Sequence, residues 1–131
     1  LHPAILPITF AVIFWTAGFD IIYSLQDEEF DREMRLRSLP QTLGKTRALN
    51  VSRACHVLAP ITLAYGGYLA GAGPLFFAGV VAAAGLLFYE QSLVKPDDLS
   101  RVDMAFFTLN GFVSLGVFAF ALLDQLIKIP L

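Results

Sequence analysis

Long apolar runs alternate with short charged stretches along this chain. Residues 1–19 contain no Asp, Glu, Lys or Arg, whereas residues 20–53 contain twelve such residues. Residues 54–89 again contain none, residues 90–103 contain six, and the remaining 28 residues contain two. A bilayer core requires roughly 20 consecutive apolar residues of helix. The alternation therefore predicts membrane-spanning helices separated by charged loops.

Breaker residues mark the joints between four predicted helices. They are the Ser-Leu-Pro of 38–40, the Gly-Ala-Gly-Pro of 71–74 and the Lys-Pro-Asp-Asp of 95–98, whose acids are suited to cap a following helix. The apolar runs are too long for strands and lack their period-2 alternation. We therefore predict an all-α, polytopic transmembrane bundle in one domain, 1–131, with these helices: Pro3–Met34, Lys45–Leu69, Pro74–Leu93 and Leu99–Ile127.

Composition supports the membrane class. Of the 131 residues, 56% are hydrophobic and 15% are charged, and the mean hydropathy is +0.67, whereas soluble domains carry about 25% charged residues. The net charge of -2 gives no basic surface for nucleic acid. The single cysteine, Cys55, permits no internal disulfide and no cysteine-based metal site.

Lys and Arg residues indicate the orientation in the membrane. The loop after the first helix, residues 35–47, carries four of them, and Lys95 and Arg101 lie before or at the start of the fourth helix. The turn at 70–74 carries none. By the positive-inside rule both charged loops face the cytoplasm. We expect a bacterial or archaeal cell membrane, with the site described next on its cytoplasmic side.

The most concentrated chemistry lies where the first helix leaves its apolar run. Asp20, Ser24, Asp27 and Asp31 follow one another at intervals of 4, 3 and 4 residues, a helical spacing that places them on one face. Two carboxylates one turn apart repel each other, and Mg2+, which takes one or two carboxylates and accepts phosphate oxygens, relieves that repulsion. We therefore predict a Mg2+ site at Asp27 and Asp31. On spacing alone, a solvated helix end whose acids pair with arginines is an equal alternative for these two residues.

The remaining acids of this stretch are interpreted by their depth. Asp20 lies deeper, between Phe19 and Ile21, and an ionised acid within a span costs about 2.5–3.5 kcal/mol on insertion scales; a functional role is therefore favoured for it. Solvation at the helix end is favoured for Glu28, Glu29 and Glu33.

Cationic residues follow the acids directly. Arg32 and Arg37 come next along the chain, and Lys45 opens the second helix. Such side chains can hold a diphosphate by charge-assisted hydrogen bonds. We predict that they bind a phosphorylated substrate.

Four polar or aromatic residues inside the helices need separate interpretation. For Asn110 we expect an interhelical hydrogen bond, with substrate-binding in the cavity as the alternative, and for His56 a satisfied polar contact. Glu90 ends the third helix and is expected at the membrane interface, paired with a basic side chain. Trp15 lies deep in the first helix, where packing and an aromatic cavity wall both suit it.

Two stretches resemble a known family. Asp20-Ile-Ile-Tyr-Ser-Leu-Gln-Asp-Glu-Glu-Phe-Asp-Arg, followed by Arg37-Ser-Leu-Pro, is similar to the second aspartate-rich motif of the UbiA superfamily of intramembrane prenyltransferases. Glu90-Gln-Ser-Leu-Val-Lys-Pro-Asp-Asp-Leu-Ser-Arg and Ala105-Phe-Phe-Thr-Leu-Asn-Gly resemble its last loop and helix. The resemblance covers essentially the whole chain, and it is greatest to the branch that prenylates 4-hydroxybenzoate.

The resemblance implies a fold of about nine spans, of which this chain would form the last four. It implies that Asp27 and Asp31 bind Mg2+, that Asp20 matches an acid one heptad upstream, and that Tyr23 matches a tyrosine beside the reaction centre. It also implies the reaction: a polyprenyl group passes from its diphosphate to an aromatic acid in quinone biosynthesis, inside the lipid bilayer.

One feature of the family has no match in this chain. The first aspartate-rich motif of the superfamily belongs to an earlier helix, so we expect this chain to be the C-terminal part of a longer protein, inactive without its N-terminal helices. Two alternative functions remain: a menaquinone-pathway prenyltransferase with another aromatic acceptor, and a transporter subunit whose acids bind a cation. The absence of an acid pair at mid-span in the other helices disfavours the transporter.

Overall fold

A computed structural model describes residues 2–26, 44–94 and 108–127 of the chain. These residues form four helices and no strand, which confirms the all-α class: α1 (Ile5–Gln26), α2 (Lys45–Leu69), α3 (Pro74–Leu93) and α4 (Asn110–Ile127). Helices α2 and α3 begin and end at the predicted residues. The predicted extensions of α1 over 27–34 and of α4 over 99–107 lie outside the described residues, as do the predicted caps at 97–98.

Three of the four helices are long and apolar enough to cross a membrane: Ile5–Ser24 within α1, the whole of α3, and the whole of α4. Helix α2 is the longest, with 25 residues, or about 38 Å at 1.5 Å per residue. It is not among the three because Arg47, Arg53 and His56 lower the hydropathy of its first half. Arg53 hydrogen bonds to the carbonyl of Val94, and His56 has specific partners that are described below.

The helices pack in sequence order, α1 against α2, α2 against α3 and α3 against α4. Two apolar clusters fill the contacts between them. One lies toward the charged loops and consists of Ile21, Ile22, Ala48, Leu49, Leu93, Val94 and Leu109. The other lies deeper and consists of Ala59, Ala83, Leu87 and Val113. Because lipid is as apolar as these side chains, close packing rather than escape from water holds such helices together.

Glycines allow the closest approaches between helices. A side chain at Gly79 of α3 would collide with Phe120 of α4, and one at Gly66 of α2 would collide with Ile8 near the start of α1. Gly71 serves a different purpose, because its φ of 74° lies in the left-handed region that glycine adopts most easily. It makes the turn between α2 and α3.

The start of α3 is capped by a side chain from another helix. The N-cap residue, Gly73, has no side chain of its own. Instead Asp124 of α4 accepts hydrogen bonds from the amide of Gly73 through Oδ2, at 2.9 Å, and from the amide of Phe76 through Oδ1, at 3.3 Å. A carboxylate at a helix N-terminus satisfies free amides and complements the helix dipole. These two hydrogen bonds explain how the buried carboxylate of Asp124 is tolerated inside the bundle.

Replacing Asp124 by alanine should destabilise the protein by about 1 kcal/mol, the usual cost of losing an N-cap. The measurement is the free energy of unfolding in detergent micelles. Gln125→Ala is the control, since the neighbouring side chain is exposed and caps nothing in the described structure. Equal stability of the Asp124 and Gln125 variants would show that the cap contributes nothing.

Candidate functional site

Helix α1 has one packed face and one open face. Its buried residues include Ala11, Gly18 and Ile22, whereas Asp20 and Tyr23 are exposed. Asp20 lies nine positions after Ala11 and two after Gly18, roughly 180° and 160° around a helix that turns 100° per residue. The carboxylate of Asp20 therefore lies on the side of α1 that faces away from α2.

Most of the predicted site falls where the structure gives no description. Asp27, Asp31, Arg32 and Arg37 lie outside the described residues, and Lys45 is described only as the first residue of α2. Within the described residues, no group of three His, Cys, Asp or Glu side chains lies close enough to hold a metal ion. Metal binding at Asp27 and Asp31 therefore stays a prediction.

A buried hydrogen-bond network joins the packed face of α1 to α2 and α3. Ser52 Oγ of α2 donates to the carbonyl of Gly18 at 2.6 Å, and Gln91 Nε2 of α3 donates to Ser52 Oγ at 2.9 Å. The same Gln91 amide lies 2.9 Å from His56 Nδ1, and His56 Nε2 lies 3.2 Å from the carbonyl of Trp15. Three helices thus meet at side chains that hydrogen bond to the backbone of α1, two and five residues before Asp20.

The network defines the state of His56. Because the Gln91 amide is a donor, His56 Nδ1 must accept, and the ring hydrogen must then lie on Nε2 and be donated to the Trp15 carbonyl. Both nitrogens are used by a neutral imidazole. This confirms the prediction that His56 makes a satisfied polar contact. Gly18 contributes by having no side chain, because a Cβ at this position would collide with the imidazole ring.

Trp15 and Asn110 connect α1 to α4. Trp15 Nε1 donates to Asn110 Oδ1 at 3.3 Å, so the expected interhelical hydrogen bond of Asn110 is confirmed. The side-chain nitrogen of Asn110 is buried and has no hydrogen-bond partner within residues 2–26, 44–94 and 108–127. Trp15 also lines an apolar cavity of about 280 Å³ between the four helices, with Ala59, Leu87 and Val113 among the other lining residues, so both expectations for Trp15 hold.

The basic partner expected for Glu90 is not found among the described residues. Its side chain is 0% exposed, and neither carboxylate oxygen has a hydrogen-bond partner in the described part of the chain. The physical reason for this burial is the helix face rather than the depth. Glu90 follows Leu86 and precedes Val94 by one turn each, and both of these residues pack in the apolar cluster nearest the charged loops.

Sequence reasoning missed Ser52, Gln91 and Asp124. Ser52, His56 and Ala59 of α2 are spaced 4 and 3 residues apart, and all three are buried. That spacing was a detectable signal that the polar residues share the packed face of α2. Gln91 and Asp124 carried no comparable signal, because each has its hydrogen-bond partners on a distant part of the chain.

Gly18→Ala should destabilise the protein by about 1–3 kcal/mol, the usual effect of overpacking, because the new methyl group displaces the His56 ring. His56→Ala removes the obstacle, so the double variant should lose less stability than the sum of the single variants. Chemical unfolding in detergent measures the coupling. Gly85→Ala is the matched control, since a Cβ there meets no atom within 4 Å. Strict additivity of Gly18→Ala and His56→Ala would contradict the contact.

Comparison with known proteins places the chain in a family. The UbiA prenyltransferase family matches residues 1–122. Proteins named 4-hydroxybenzoate octaprenyltransferase are similar over most of the chain: the one from Nitrosomonas europaea is 30% identical over 90% of this chain, and the one from Azoarcus sp. is 32% identical over 89%. The chain covers 40% of the length of each of these two relatives. No solved structure matches it. This chain belongs to the UbiA prenyltransferase family.

Proposed function

We propose that this chain is the C-terminal part of an intramembrane prenyltransferase that transfers a polyprenyl group from its diphosphate to an aromatic acid such as 4-hydroxybenzoate. Family membership and the names of the relatives support the reaction class and the acceptor. The observation that carries the proposal is the open face of α1. An apolar helix that turns Asp20 away from all its described neighbours offers a carboxylate to another part of the protein and its substrate.

The acids of this face have separate proposed roles. Asp27 and Asp31 would hold Mg2+, since oxygen donors are what Mg2+ prefers and helical spacing continues the face that Asp20 begins. Bound there, Mg2+ would neutralise charge on the departing diphosphate. Asp20, one heptad before Asp27, orients the aromatic acceptor through its exposed carboxylate. Tyr23, 36% exposed on the same side of α1, lies beside the reacting carbon.

The cations and Asn110 complete the proposed site. Arg32, Arg37 and Lys45 bind the diphosphate by charge-assisted hydrogen bonds, which holds the leaving group away from the acceptor. Asn110 lies on α4, on the packed side of α1, and is proposed as a substrate contact from that side through its side-chain nitrogen, which has no partner among the described residues. The site faces the cytoplasm, as the distribution of Lys and Arg indicates.

The apolar surroundings have a chemical purpose in this proposal. An allylic carbon that loses its diphosphate reacts readily with water, so water must be excluded until the aromatic ring attacks. Trp15 and the cavity behind it supply apolar surface on one side. The other side must come from helices that lie against the open face of α1. A menaquinone-pathway acceptor would use the same chemistry and differs only in the aromatic acid.

In the full-length protein, Asp27→Asn or Asp31→Asn should lower prenyl transfer by about 100-fold or more, since even outer-shell changes at metal sites cost 10–100-fold. Product formed from radiolabelled polyprenyl diphosphate and 4-hydroxybenzoate is the measurement. Glu29→Gln is the matched control and should remain near wild type, because Glu29 is assigned to the solvated helix end. Full activity in either aspartate variant would refute the metal assignment.

Residues 1–131 expressed alone should form no prenylated product, because the open face of α1 leaves the diphosphate with compensating charge on one side only. Co-expression with the preceding helices as a separate chain should restore product. The amount of each chain in the membrane fraction is the control for expression. Product from residues 1–131 alone, at a rate near that of the two chains together, would show that the second half of the site is dispensable.

A further inference from the structure

The buried network of Ser52, His56 and Gln91 ends at two backbone carbonyls of α1, which fix the direction of its hydrogen bonds. A carbonyl oxygen can only accept, so Ser52 Oγ must donate to the Gly18 carbonyl. For the same reason His56 Nε2 must donate to the Trp15 carbonyl. Each of these side chains has then used its one hydrogen. The remaining lone pairs, on Ser52 Oγ and on His56 Nδ1, can only accept.

Gln91 of α3 supplies the two hydrogens that these acceptors require. Its Nε2 lies 2.9 Å from Ser52 Oγ and 2.9 Å from His56 Nδ1, and a side-chain amide nitrogen carries two hydrogens. The three side chains are at most 8% exposed, so water does not compete for these hydrogen bonds. One side chain of α3 thus controls both hydrogen bonds from α2 to the backbone of α1.

The two hydrogen bonds restrict both the rotation and the sliding of α1. The carbonyls of Trp15 and Gly18 are three residues apart, about 4.5 Å along the helix axis, so the bonds hold α1 at two separate heights. The imidazole ring of His56 also lies directly against Gly18, where a Cβ would collide with it. Rotation of α1 would bring a neighbouring residue, with its Cβ, into this place. The network therefore allows α1 a single orientation against α2.

Asp20 follows these contacts directly, two residues after Gly18 and five after Trp15. Because a side chain reaches roughly 6 Å from the axis of its helix, a rotation of about 10° moves its tip by about 1 Å. Misplacement of a reacting group by about 1 Å can lower an enzymatic rate by about 100-fold. Groups in an active site are accordingly held within about 0.5 Å by supporting residues. A carboxylate on α1 therefore needs a precise support for the helix that carries it.

We propose that Ser52, His56 and Gln91 are positioning residues for prenyl transfer, because they hold the backbone of α1 in the orientation that presents Asp20 to the substrate. They act through α1 and make no contact with the substrate themselves. The inference rests on the proposed function, since it assigns the network to the support of the proposed site. It gives the three residues a role in the rate of the reaction beyond their role in stability.

The test is the single-turnover rate constant of prenyl transfer by the full-length protein, with enzyme in excess over radiolabelled polyprenyl diphosphate and with saturating 4-hydroxybenzoate. A loss of folded protein lowers the amplitude of this reaction, whereas misplacement of the site lowers its rate constant. Ser52→Ala should lower the rate constant by about tenfold or more. The variant should still fold, because the Gly18 carbonyl also accepts the helical amide four residues later.

Two control variants separate positioning from stability. The Thr62 hydroxyl of α2 donates to carbonyls of its own helix, those of Leu58 and Ala59. Thr62→Val therefore removes a hydroxyl from α2 without breaking a described bond to α1, and it should leave the rate constant unchanged. Asp124 caps the start of α3, whereas Gln91 lies near its end. Asp124→Ala should therefore lower the amplitude and leave the rate constant unchanged.

Gln91→Met is a second test of the network, since methionine has a similar length and no N–H group to donate. It should also lower the rate constant by about tenfold or more. Because the residues act as one unit, adding Ser52→Ala to Gln91→Met should cause little further loss. A wild-type rate constant in Ser52→Ala and Gln91→Met, with only the amplitude reduced, would overturn the positioning role. Absence of product from the wild-type protein would instead overturn the proposed function.

Discussion

The packing of α1, α2 and α3 depends on a hydrogen-bond network among side chains that have no access to water. In membrane proteins a hydrogen bond between helices contributes only about 0.6 kcal/mol on average, but an unsatisfied polar group in the apolar interior costs several kcal/mol. The network of Ser52, His56 and Gln91 is therefore more important as a constraint than as an attraction. Any rotation of α1 or α3 that broke one of its bonds would leave an orphaned donor or acceptor, so few packings of these helices are permitted.

That constraint determines the direction in which the site faces. The network binds the carbonyls of Trp15 and Gly18, and it thereby selects which side of α1 is buried against α2. Asp20 is then placed on the opposite side by helix geometry alone. Trp15 and Gly18, which fix the orientation of α1, thus lie on the face of α1 opposite to Asp20. This separation explains why Gly18, which has no functional group, is as important for the site as the polar residues that it contacts.

The sequence predicted the periodic features well and the isolated ones poorly. The boundaries of α2 and α3 were predictable because Gly71, Gly73 and Pro74 mark the turn between them, and because the charged stretches limit the apolar runs. The burial of Glu90 was not predicted, because its distance along the helix was considered and the face of the helix on which it lies was not. The cap by Asp124 could not be predicted, since a capping residue 51 positions away from Gly73 leaves no local pattern.

Two kinds of acid in this chain illustrate how burial and function differ. Asp124 is buried, and each of its carboxylate oxygens accepts a hydrogen bond from a backbone amide at the start of α3. Its role is therefore to stabilise a helix start. Asp20 is exposed on a face that no described helix covers. In an apolar environment an uncovered carboxylate would be excluded unless cations or substrate balanced it. The open face of α1 is therefore the place where the remainder of a prenyltransferase would be required, because α2, α3 and α4 already lie on the other side.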